Sequence, residues 1–130
     1  MQKSATVALI KNNKLLLLKR GSTAPWNPDK YCLPGGKLEH NEELIECGAR
    51  ELYEETNILL DKNSLIPTTI SYPKYSKVIF VHVTNKDISV KLNWEHTEYL
   101  WSTINDSKNL ALVPGLQTTI HTLYQNGLLM

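Results

Sequence analysis

The chain has 130 residues, a net charge of +1 and 42% hydrophobic residues. That length allows one domain, residues 1–130, with a real core. Its longest apolar run, Leu15 to Leu18, is far too short to span a bilayer, and no charged segment followed by an apolar core opens the chain. Neither a membrane nor a nucleic-acid polymer is expected as partner; the cytoplasm is the expected compartment, and a monomer or homodimer the expected state.

Ala5 to Ile10 and Leu15 to Lys19 read as two apolar strands. The polar turn Lys11-Asn12-Asn13-Lys14 joins them into a hairpin. Lys19 and Arg20 close the second strand, and two readings stand side by side: a solvated strand end, or a phosphate contact. A loop from Gly21 to Lys30 carries Pro, polar residues and Trp26. Tyr31-Cys32-Leu33 is a short strand. Pro34-Gly35-Gly36 then turns the chain toward a helix, with glycines that let backbone approach a ligand closely. Cys32 and Cys47 make no disulfide framework and read as small buried thiols in a reducing compartment.

Charge is distributed unevenly. Residues 39–61 hold eight of the 13 acids but only one of the 14 bases, Arg50. The helix-like run through this stretch places Glu51, Glu54 and Glu55 within an arc of about 100°. Like charges at that spacing cost roughly 0.2–0.5 kcal/mol per pair. A hard divalent cation would offset the repulsion, since Mg²⁺ prefers carboxylates together with substrate phosphates. Ile45, Gly48, Ala49, Leu52 and Thr56 form a second, apolar or small face, a quarter turn or more from the carboxylates and suited to packing on a sheet. Asn41 is the expected N-cap, with Glu42 and Glu43 in the first turn. Asn57 is expected at a left-handed C-terminal position.

After the helix, Ser64 to Tyr72 and Lys77 to Thr84 read as strands, and Ile88 to Leu92 as a short one. Trp94 to Trp101 leads into the last strand. Pro114-Gly115 opens a C-terminal helix with Leu116, Ile120, Leu123 and Tyr124 at helical spacing. The expected fold is α/β, an α/β/α sandwich around a mixed sheet.

The run from Gly36 to Ile58 resembles the signature of the Nudix hydrolases. That pattern is Gly, five residues, Glu, seven residues, Arg-Glu, aliphatic, any, Glu-Glu, any, Gly, aliphatic. Gly36, Glu42, Arg50, Glu51, Leu52, Glu54, Glu55 and Ile58 match at the right spacing. The one departure is Asn57 in place of the closing Gly, and both residues tolerate the left-handed conformation. The order of flanking elements also resembles the family's.

The resemblance implies hydrolysis of a nucleoside diphosphate linked to a further group. It implies Mg²⁺, or Mn²⁺, held by Glu51, Glu54 and Glu55 with a carbonyl from the Gly35 turn. Glu54, Arg50 and Glu95 are the expected catalytic residues, Arg50 by orienting a catalytic Glu. Arg50 equally reads as a helix salt bridge to Glu46 or Glu54. Glu42 is either an outer member of the metal cluster or a helix-start charge. Glu95 is preferred over Glu98 as the later-loop acid, because it lies six residues ahead of Trp101. The four histidines show no metal-ligand spacing; each reads as structural or exposed, with His96 near the substrate as the other reading.

The expected substrate is a nucleoside triphosphate, with Lys19, Arg20 and Lys37 on the phosphates and Trp26, Tyr31 or Tyr75 stacked on the base. Pro73 and Tyr75 stand where relatives that cleave ADP-ribose and dinucleoside polyphosphates, respectively, resemble one another. Those substrates are the alternatives. Pro114-Gly115-Leu116 offers no Asn of the kind some oxidised-guanine-cleaving members use. A rival class, a Nudix-fold module that binds nucleotides without cleaving them, usually lacks a box carboxylate; none is missing here. An EF-hand-like calcium buffer lacks its interleaved Asp and Gly.

Overall fold

The computed structural model describes residues 1–130. Seven strands and three helices follow in order: β1 (Ser4–Lys11), β2 (Lys14–Arg20), β3 (Tyr31–Cys32), β4 (Gly35–Lys37), α1 (Leu44–Thr56), β5 (Ile66–Ser71), β6 (Ser76–Thr84), β7 (His96–Ser102), α2 (Ile104–Ser107) and α3 (Leu116–Gln125). A short 3₁₀ turn, Lys62–Ser64, precedes β5. The sheet is mixed: β1 runs parallel to β6 and antiparallel to β2 and β4.

The β1–β2 hairpin forms as its sequence demands. Asn12 and Asn13 have φ of 49° and 63°, and Lys11 pairs with Lys14. Asn tolerates positive φ better than most residues, and two such residues match the twist of the flanking strands. Beyond the hairpin β1 and β2 part. Only Ile10 and Lys11 of β1 pair with β2, while Ser4, Ala5 and Thr6 pair with β4, and Leu18 and Lys19 of β2 pair with β3. The segment 31–37 therefore lies between two diverging strands.

Both faces of the sheet are covered. Ala5, Val7, Leu9, Leu16 and Leu18 face α1 and pack with Cys47 and Leu52. Ala8, Ile10, Leu15 and Leu17 alternate to the other face and pack with Leu116, Ile120 and Leu123 of α3. This is why Leu15 to Leu18 is an unbroken apolar run. The α/β/α sandwich around a mixed sheet is observed as expected, and both cysteines are buried and free.

Four expectations about element placement need correction. Helix α1 starts at Leu44 with Glu43 as N-cap, not at Asn41. Asn41 instead takes a left-handed turn, φ 60°, and the Glu43 N–H donates to the Glu46 carboxylate at 3.0 Å. Residues 88–92 pair with no strand. Ile88, Val90 and Leu92 pack on the α1-side core, while the Lys91 and Asn93 N–H groups donate to the carbonyls of Thr56 and Glu55. Those carbonyls are the unsatisfied end of α1, so the helix terminus competes successfully with strand pairing. Residues 96–102 are themselves the last strand, paired along β2. Gly35 and Gly36 are strand, not turn.

The expected faces of α1 also shift. Glu55 lies about 20° from Gly48 in helical projection, so it belongs to the face turned to the sheet rather than to a separate charged face. Gly48 is where the helix comes closest: a Cβ there would stand 3.2 Å from Val7 Cγ2 and 3.4 Å from Phe80.

At the other end, Asn57 has φ 60° and ψ 20° and its N–H donates to the Tyr53 carbonyl at 2.8 Å, the expected left-handed cap. Asn57→Gly is expected to leave stability unchanged or raise it, whereas Asn57→Val should cost about 1–2 kcal/mol. Thermal melts of the three proteins check this; equal midpoints would contradict it.

Candidate active site

The strands that part at β3 and β4 leave room for α1 to present carboxylates. Glu55 is only 2% exposed, and its Oε1 accepts the Gly35 N–H at 3.1 Å. Gly36 faces Glu51 so closely that a Cβ would overlap that carboxylate, and a Cβ on Gly35 would strike the β1 backbone at Ala5 and Thr6. The two glycines thus admit other parts of the chain. Gly36 also accepts a bond from the Cys47 thiol at 3.4 Å through its carbonyl.

Arg50 is the hub of the acidic stretch. It grips Glu42 in a two-point fork, Nε to Oε2 at 2.7 Å and Nη2 to Oε1 at 3.0 Å. Its Nη1 reaches Glu51 at 3.0 Å, Glu54 at 3.1 Å and Glu39 at 3.4 Å, and its Nη2 donates to the Lys37 carbonyl at 3.0 Å. The expected alternative partner Glu46 is engaged elsewhere, by Lys62 at 3.4 Å. Glu42 is thus the principal partner of Arg50. The guanidinium fork holds its carboxyl down at about 2.

Glu55 is the opposite case. Burial pushes its pKa up to about 9, against the pull of the Gly35 N–H, and the nearby charges of Glu95 and Glu51 push the same way. Glu51 is raised too, chiefly by burial, although Arg50 opposes it. No lysine or arginine bonds Glu55, so like charges meet at a desolvated carboxylate. That donor set is all hard oxygen and lacks neutralisation, which fits a divalent cation. Glu51 and Glu54 turn toward Arg50, and no closed cage of three ligands is preformed.

A cleft of about 300 Å³ opens beside Glu55. Arg20, Trp26, Gly35, Lys37 and Glu95 line it. The Arg20 guanidinium lies 5.3 Å from the Trp26 ring centroid, and its Nε donates to the Trp26 carbonyl at 2.7 Å. Glu95 is held by Asn93, whose amide donates to Oε1 at 3.1 Å. The two later-loop acids separate: Glu95 lies in the cleft, whereas Glu98 pairs with Lys19 at 3.4 Å.

Three expected substrate contacts do not reach the cleft. Lys19 is turned to Glu98 on the neighbouring strand. Tyr31 packs with the α3-side core. Tyr75 is 61% exposed and stacks on Tyr72, ring centroids 4.8 Å apart. Tyr72 itself is the aromatic in the wall, with Lys77, Ile79, Leu116 and Thr119 beside it. The sequence reading missed these. A signal existed in the period-two alternation of β6, where Lys77 shares a face with the buried Ile79 and Val81. His96 lines the cleft and is buried, with Nε2 3.5 Å from Cys32 Sγ and no partner for Nδ1.

The curated protein m7GpppN-mRNA hydrolase NUDT17 of Danio rerio is 41% identical over 54 residues, which are 42% of this chain and 18% of that protein. ADP-ribose pyrophosphatase of Methanocaldococcus jannaschii is 43% identical over 58 residues, 43% of this chain and 32% of that one. The chain thus spans a third or less of these curated relatives. The crystal structure of a MutT protein from Methanosarcina mazei Go1 superposes with a TM-score of 0.73 at 25% identity, covering 95% of this chain and 93% of that one. The NUDIX domain family matches residues 1–123, nearly the whole chain, and the protein belongs to that family.

Proposed function

We propose that the protein hydrolyses a phosphoric anhydride in a nucleoside diphosphate linked to another group, with nucleoside triphosphates as preferred substrates, releasing a monophosphate and pyrophosphate. The observation that carries the reading is Glu55, a desolvated carboxylate without a cationic partner, at one end of a cleft that also holds Arg20, Lys37 and Glu95. At about 300 Å³ the cleft is at the small end of the range for ligand sites, which favours one nucleoside over two. Tyr75, the residue that suggested dinucleoside polyphosphates, is outside it. The buried thiols suit a reducing compartment, and the cytoplasm remains our reading of location.

Glu51, Glu54 and Glu55, with the Gly35 carbonyl, would hold Mg²⁺ or Mn²⁺. The cation would neutralise phosphate charge and make water a better nucleophile at neutral pH. Arg20 and Lys37 draw the phosphates to the acidic end. Arg50, anchored on Glu42, fixes the directions of Glu51 and Glu54. Glu54 or Glu95 accepts a proton from the attacking water. Water adds to one phosphorus in line with the bridging oxygen, which departs with the leaving phosphates.

Glu54→Gln is expected to lower turnover by at least ~10²-fold, the scale for losing one preorganised electrostatic partner. Pyrophosphate release in saturating Mg²⁺ measures it, and near-wild-type turnover would refute the assignment.

Stability without metal supplies a second check. The folded pKa of Glu55 lies above its ordinary value of 4.5. The folded state therefore holds the extra proton, and stability falls as pH rises from 4.5 toward 9. In chelator at pH 8, Glu55→Gln should be more stable than wild type by on the order of 2 kcal/mol, with the gap closing near pH 4. Melting curves across pH read this; a less stable variant at pH 8 would be inconsistent with an unneutralised carboxylate.

The substrate is tested by kcat/KM for common nucleoside triphosphates, ADP-ribose and diadenosine polyphosphates under one Mg²⁺ condition. A preference above about tenfold for ADP-ribose, ~1.4 kcal/mol of transition-state binding, would replace the triphosphate reading.

A further inference from the structure

The cleft has a second end, remote in character from the carboxylates. Its wall is formed by Tyr72, Lys77, Ile79, Leu116 and Thr119. Lys77 and Ile79 project from the sheet face that α3 covers. The Lys77 ammonium lies 5.6 Å from the Tyr72 ring centroid. Burial pulls its pKa below the usual lysine value.

Two facts single out this lysine. The ion pairs of the protein use Lys19, Arg50 and Lys62, and Lys77 takes part in none. The other polar groups at this end are already committed. The Thr119 hydroxyl donates to the Gly115 carbonyl at 3.2 Å, so it accepts the Tyr72 O–H at 2.7 Å. That chain of bonds fixes the Tyr72 ring as a flat wall and commits the proton of its hydroxyl. The Lys77 ammonium has no partner within the protein and is open to the cleft, so a ligand oxygen can take the place of water there.

Building on the triphosphate reading, we propose that Lys77 is a specificity residue for the base. Its ammonium donates to a ring carbonyl oxygen of an oxo base (uracil, thymine or guanine) held in the cleft beside Tyr72. Bases that carry an amino group at the corresponding position, cytosine and adenine, are selected against. An ammonium has three donors and no acceptor, so an amino group facing it leaves donors on both sides unpaired. Sites built to bond one polar group reject the mismatched analogue far more strongly than apolar pockets reject an extra methylene. A base suits this end better than a phosphate. The walls are aromatic and aliphatic, and the cations matched to phosphate lie with the acids: Arg20 is paired with His96, next to Glu95, and Lys37 follows the Gly36 that faces Glu51.

The experiment compares kcat/KM for UTP, GTP, CTP and ATP in Mg²⁺, and metal-free binding of the four monophosphates by calorimetry. It uses wild type, Lys77→Met and Lys77→Arg. Wild type is expected to favour UTP and GTP by about tenfold or more. Lys77→Met should remove that preference by lowering UTP and GTP about tenfold while CTP and ATP change less than about threefold. Lys77→Arg, which keeps the donors, should retain the preference. Equal wild-type values for the four triphosphates, or a uniform loss across all four in Lys77→Met, would overturn the proposal and leave the triphosphate reading in place. If ADP-ribose is cleaved and no triphosphate is, the triphosphate reading fails. The binding data then decide separately: preference for UMP and GMP that Lys77→Met abolishes supports the role of Lys77, and its absence overturns it.

Discussion

The structure turns on one buried contact, the Glu55 carboxylate against the Gly35 N–H. A carboxylate can be placed there only if helix and sheet come very close. Three glycines make that possible at three different surfaces. Gly48 brings α1 onto Val7 and Phe80, Gly35 lies flat on β1, and Gly36 leaves the space that the Glu51 carboxylate fills. Parting of β1 and β2 supplies the gap, and β3 and β4 occupy its edges. The site is therefore made where β1 and β2 part.

Concentrating eight acids between residues 39 and 61 would strain an isolated helix. Here the charges divide into two groups. Glu39, Glu42, Glu51 and Glu54 share Arg50, and Glu46 has Lys62, so most of the repulsion is answered within the protein. Glu55 is left out of that settlement because it faces the sheet side of the helix, beyond the reach of Arg50. An exposed acid without a partner would mean little. A buried one in a cleft with a second acid, Glu95, is a place where a cation gains the most.

Much of this was legible in the sequence, for stated reasons. The hairpin, the two faces of Leu15 to Leu18, the long helix and its Asn57 cap follow from local patterns that tertiary contacts reinforce. The fixed spacing of Gly36, Arg50, Glu51, Glu54 and Glu55 carried the family, although the helix period did not foretell that Glu55 turns to the sheet while Glu51 and Glu54 turn to Arg50. What failed depended on through-space partners. Asn41 lost the cap to Glu43 because the turn before α1 needed a left-handed residue. Lys19 has the right charge and the right strand, yet Glu98 on the adjacent strand takes it. Tyr75 and Tyr72 are equivalent aromatics in sequence, and only the 72–75 hairpin geometry sends Tyr72 to the cleft.

The same through-space logic links the two acidic ends of the site. Residues 88–92 pair with no strand, and the N–H groups of Lys91 and Asn93 meet the free carbonyls at the end of α1 instead. Asn93 donates its N–H to the carbonyl of Glu55, and its side chain both accepts the Glu95 N–H at 3.0 Å and holds the Glu95 carboxylate. Glu95 is thus positioned by the backbone of the residue whose carboxylate lines the same cleft. A helix end has orphan carbonyls to satisfy in any case. Satisfying them with this particular loop ties a residue forty positions later in the chain to the register of α1, so the distance between the two acids is set by one short chain of hydrogen bonds rather than by the path of the intervening strands.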